Sequence, residues 1–82
     1  MTYNGWSNYE TWCCFTWLTN DINTYLYIME IIKPIPVYEA EEWLRLYIKN
    51  NTAVVSGLYG DLLTSAIDNI IFIEVVRGLK GE

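Results

Sequence analysis

Eighty-two residues allow one domain, near the lower end of what a single hydrophobic core can stabilise, because small chains bury a smaller fraction of their surface. Ten carboxylates against five basic groups give a formal charge of −5, which repels phosphate backbones and argues against direct binding of nucleic acid. Histidine is absent, which removes the commonest general base and the commonest metal ligand, so no enzymatic activity, cofactor or metal is expected.

The chain offsets its small size with aromatic mass. Four Trp, seven Tyr and two Phe are present, and each can bury roughly 150–250 Å². A compact core without covalent staples is therefore expected. Cys13 and Cys14 are neighbours, where a disulfide would close a strained ring, so reduced thiols are expected. The N-terminal residues show no basic segment followed by an apolar one, as a secretory signal would. The longest apolar stretch begins at Ile70 and falls far short of the roughly 20 residues that span a bilayer. These features point to a cytoplasmic protein without a membrane partner.

Residues Asn4 to Trp12 read NGWSNYETW and join a turn, a helix start and aromatic anchors. Ser7 and Glu10 have the spacing of a capping box, which predicts a first helix from about Asn8 to Leu18. Its residues Tyr9, Trp12, Cys13 and Trp17 follow the i, i+3, i+4, i+8 pattern of a buried stripe, widened by Phe15 and Leu18. Asn20 or Asp21 starts a second helix over Ile22 to Ile32. Lys33-Pro34-Ile35-Pro36 stops it, since each proline lacks an N–H and pushes the preceding residue out of helical geometry.

Glu39 to Asn50 is the cleanest amphipathic segment. Ala40, Trp43, Leu44, Tyr47 and Ile48 share one face, and Glu41, Glu42, Arg45 and Lys49 the other. Ser56 caps a fourth helix with the face Tyr59, Leu62, Leu63, Ala66, Ile67 and Ile70. Asp68-Asn69 then caps a last one bearing Phe72, Val75, Val76 and Leu79. The expected fold is a compact all-α single domain over residues 1–82, with four to five short helices. An α+β alternative pairs 53–55 with 70–76, because the latter is rich in β-branched residues.

NGWSNYETW followed by Trp17-Leu18-Thr19-Asn20-Asp21 resembles the opening of a family of small uncharacterised proteins carried by phages, archaeal viruses and plasmids. Gly57-Leu58-Tyr59-Gly60-Asp61-Leu62-Leu63, with Ala66 and Ile67, is similar to that family's closing segment. The Cys13-Cys14 pair and the Pro34-Ile35-Pro36 connector depart from the pattern. The resemblance implies a mobile-element gene and an accessory protein of the host cell cytoplasm. By that setting it implies an inhibitor of host defence, of anti-CRISPR or anti-restriction type.

Binding by protein–protein contact is the expected mode of action, and its candidate residues are Tyr3, Trp6, Glu39, Glu41 and Glu42. Trp and Tyr dominate interface hot spots, and Tyr3 and Trp6 precede the first helix, with Trp6 placed to act as a hydrophobic staple. Carboxylates on a helix face can imitate phosphates and occupy the site of a host nucleic-acid-processing complex through charge complementarity. The alternative is a structural homo-oligomer, a homodimer at its simplest, in which a copy of the chain covers an apolar stripe.

Overall fold

A computed structural model describes residues 3–82. Five helices follow one another: α1 Tyr9–Asn20, α2 Ile22–Ile32, α3 Val37–Asn50, α4 Gly57–Asp68 and α5 Phe72–Lys80. An isolated bridge joins Tyr3 to Trp6, and no strand forms among the described residues. The fold is all-α. The α+β alternative is not adopted, because 53–55 is irregular and 72–76 lies inside α5. Helical geometry puts Phe72, Val75, Val76 and Leu79 on one face, and all four are buried. Each such burial contributes roughly 1.5–3 kcal/mol, which outweighs the helix propensity lost by β-branched residues, at most about 0.7 kcal/mol each.

The core gathers Leu18 of α1, Ile28 and Ile32 of α2, Ala40 and Leu44 of α3, and the four α5 residues. Helix α5 is the hub, packed chiefly against α3 and α1, while α2 closes against both of these helices. Helix α4 contributes no buried residue. Lys80 at the end of α5 donates from Nζ to the carbonyl oxygens of Lys33 and Ile35, at 3.3 and 2.6 Å, and so pins the connector between α2 and α3. Helix α3 starts two residues before the sequence expectation, because extended Pro36 serves as its N-cap and leaves Val37 free to turn.

The N-terminal residues form a corner. Asn4 and Gly5 both have positive φ, 50° and 89°, which bends the chain so that Tyr3 and Trp6 exchange backbone hydrogen bonds of 2.6 and 2.8 Å. The expected Ser7–Glu10 capping box does not form. Ser7 turns to α5, where its N–H and hydroxyl both donate to the Glu74 carboxylate. Asn8 is the N-cap instead, accepting at Oδ1 from the Thr11 N–H at 2.9 Å and from the Thr11 hydroxyl at 2.6 Å. This shift puts Glu10 at the second helical position, where it cannot reach back as a capping box requires.

Two further bonds tie this cap to the far end of the chain. Asn8 Nδ2 donates to the Asn69 carbonyl at 2.8 Å, and Thr11 Oγ1 accepts from the Ile71 N–H at 2.9 Å. Asn69 ends α4 rather than starting α5, and Ile71 enters α5 without a side-chain cap of its own. Thr11→Val keeps the shape but leaves the Ile71 N–H without its acceptor, so a loss of about 1–3 kcal/mol is expected. Thr11→Ser keeps the hydroxyl and should lose less. Urea midpoints at unchanged m-value test this, and equal losses for the two variants would refute the role given to the hydroxyl.

Candidate protein-interaction site

The candidates taken from sequence sit in two places. Tyr3 packs its ring against Tyr9 and Trp12, with centroids 5.2 and 4.9 Å away. Trp6 lies half-buried against Phe15 at 4.6 Å. It also covers Gly78 of α5, where a Cβ would stand 2.7 Å from the Trp6 ring. Trp6 thus fills a slot that glycine opens between α1 and α5, in place of the staple onto the first turn of α1. Glu39, Glu41 and Glu42 follow one another along α3. No hydrogen bond or ion pair among the described residues links them to Tyr3 or Trp6.

Arg45 divides the acidic group. Its guanidinium bonds Glu42 at 2.9 Å and stands 3.9 Å from Glu41, while lying 5.4 Å above the centre of the Phe72 ring. Glu41 is half-buried in this arrangement, whereas Glu39 and Glu42 stay exposed. One turn of α3 carries Glu39 to Trp43, which stacks on Tyr47 at 5.1 Å and 12°. Tyr27 of α2 approaches both rings, at 6.2 and 6.0 Å, and is itself 51% exposed. Leu46 is exposed on the same helix.

An aromatic platform results, with exposed Glu39 one turn before Trp43, while Glu42 turns to Arg45. Sequence periodicity assigned Trp43 and Tyr47 to the core face, and they do border it. Their place one and two turns after Glu39 was present in the spacing of α3. Tyr27 could be joined to them only by the packing of α2 on α3.

A second surface lies between α1 and α4. The stripe expected to be buried on α1 is largely open: Tyr9 is half-exposed and Trp17 is 73% exposed, while Thr11 and Leu18 face inward. Helix α1 carries two apolar faces, and α5 covers the one bearing Leu18. Tyr59 and Leu62 of α4, also expected inside, are exposed as well. Tyr9, Cys13 and Trp17 on one side and Ala66, Ile67 and Ile70 on the other line an open groove of about 290 Å³.

Burial and, secondarily, neighbouring Cys13 push the Cys14 thiol up to about 12, so Cys14 is held as the neutral thiol. The Tyr9 hydroxyl is also raised, chiefly by the Cys13 thiol one turn along α1. Both cysteines are free. Among the described residues, no three Cys, Asp or Glu side chains converge to hold a metal, and no helix is long and apolar enough to cross a membrane. Comparison of the chain with protein families, with curated proteins and with solved structures gives no match.

A thiol whose value rises on folding stabilises the native state fully below its unfolded value, near 9, and loses that contribution as pH climbs toward 12. Melting temperature should therefore fall more steeply between these values in the native chain than in Cys14→Ala, after each is normalised to pH 7. Parallel curves for the two proteins would refute the burial of the thiol.

Proposed function

We propose that the protein is a virus- or plasmid-encoded accessory protein that acts by protein–protein binding, not catalysis, in the cytoplasm of a host cell. Its target is a host-defence complex that processes nucleic acid, bound through the face made by Tyr27, Trp43, Tyr47 and Glu39, with Glu42 on the adjoining polar side of α3. The observation that carries this reading is a three-ring aromatic platform with the exposed residue Glu39 one turn before Trp43 on the same side of α3. Aromatic side chains supply rigid contact area, and the carboxylates supply attraction to a basic surface built for phosphates. The mobile-element setting rests on the resemblance of NGWSNYETW and the α4 segment, and the defence target rests on that setting.

Capture from a lysate of the cell that carries the gene, at low and at moderate salt, tests the reading. The expected result is a nucleic-acid-processing complex that is retained at low salt and released as salt rises. Glu39→Lys with Glu42→Lys should slow association with that complex by about tenfold or more. Tyr27→Ala should weaken affinity by about 2 kcal/mol without unfolding the chain, since its ring is half-exposed. Retention of no such complex, or retention that ignores both changes, would remove the proposal.

A further inference from the structure

Helix α4 presents a physical problem that the fold of one chain does not solve. It has twelve residues, none of them buried, and of these Ile67 packs against the core, partly buried, whereas a helix of about that length is marginal in water unless tertiary packing covers an apolar face. Its apolar residues are nevertheless plentiful. Leu58, Tyr59 and Leu62 are exposed, and Val54 just before the helix is wholly open. Leu62 stands one turn before Ala66, so this ridge runs directly into the wall of the α1–α4 groove.

We infer that a second copy of the chain covers this surface, in a two-fold dimer that seats the Val54–Leu62 ridge of each protomer in the α1–α4 groove of the other. Three observations select a second copy. With Trp17 and Tyr59 each 73% exposed, and Val54, Val55, Leu58 and Leu62 added, the surface offers on the order of 900 Å². That is of the order of the roughly 800 Å² that each partner of a stable interface gives up.

The groove is also nearly free of charge. Among the described residues Glu10 is the one charged side chain that lines it and Asp61 the one in the ridge segment, and apolar, charge-depleted surfaces are the mark of homodimers more than of transient complexes. A foreign basic partner would find its complement on α3 instead. Ridge and groove are, moreover, adjacent on one molecule, which is the self-complementarity a two-fold axis needs. The loop before α4 is fixed for this task. A Cβ at Gly60 would collide with the Val55 carbonyl, so glycine lets the Val54-Val55 segment lie against the start of the helix.

The inference does not rest on the proposed target, because it uses a different surface. Sedimentation equilibrium of the full chain should show monomer passing to dimer with a dissociation constant on the order of 10 µM or below. Amide exchange in residues 57–68 should slow as concentration rises, which reports cover on α4 itself. Trp17→Glu and Leu62→Glu, both at exposed positions, should each raise the dissociation constant about hundredfold and abolish that slowing. Leu46→Glu, exposed on α3, should change neither, and Glu39→Lys with Glu42→Lys should leave the mass unaltered.

A chain that stays monomeric with α4 exchanging freely would overturn the inference. So would a monomer whose groove takes up an apolar dye or another protein, and so would a dimer indifferent to both Trp17→Glu and Leu62→Glu.

Discussion

Thr11 is the buried polar side chain of the core among the described residues, and its hydroxyl holds two distant parts of the chain together. It donates to Asn8 at the start of α1 and accepts from Ile71 at the start of α5. A helix start leaves backbone donors without partners, and one buried without them would be costly. Here the cap of the first helix supplies the acceptor that the last helix lacks. Asn8 reinforces the junction through Asn69, and Ser7 through Glu74. Helix α5 is thereby placed where its four buried residues meet α1 and α3, and the rest of the core assembles around it.

From this placement follows the division of surface. Because α5 takes the inner face of α1, the second apolar face of α1 turns outward with Tyr9, Cys13 and Trp17. Helix α4, tethered at Asn69 and at the Gly60–Val55 contact, stands beside that face without filling the space between. On the other pair of helices, α2 brings Tyr27 over Trp43 and Tyr47, and Arg45 draws Glu41 and Glu42 toward Phe72. One surface is thus apolar and nearly free of charge, the other aromatic with acidic residues beside it. They suit different partners for that reason.

The NGWSNYETW segment has a structural account that its aromatic content alone did not suggest. Asn4 and Gly5 form the corner, Trp6 fills the slot over Gly78, and Ser7, Asn8 and Thr11 carry the bonds to the C-terminal third of the chain. Tyr3, Tyr9 and Trp12 form a ring cluster on its outer side. Of the two aromatic candidates, Trp6 is spent largely on packing, while Tyr3 keeps part of its ring exposed.

The number of helices, the prolines that separate α2 from α3, the Asp21 cap and the inward face of α5 were legible in the chain, since each depends on local chemistry or on one unambiguous stripe. Glu41 and Glu42 were likewise legible on the polar side of α3 with Arg45. Where a helix carries two apolar faces, as α1 and α4 do, periodicity cannot say which is covered, and there Trp17, Tyr59 and Leu62 were assigned inward although they lie outside. The capping choice between Ser7 and Asn8 was likewise settled from a distance, by the bonds that Ser7 makes to Glu74 and Asn8 to Asn69. Local sequence determined which segments are helical and how apolar they are; only tertiary structure decided which faces meet, because that depends on contacts between residues some sixty positions apart.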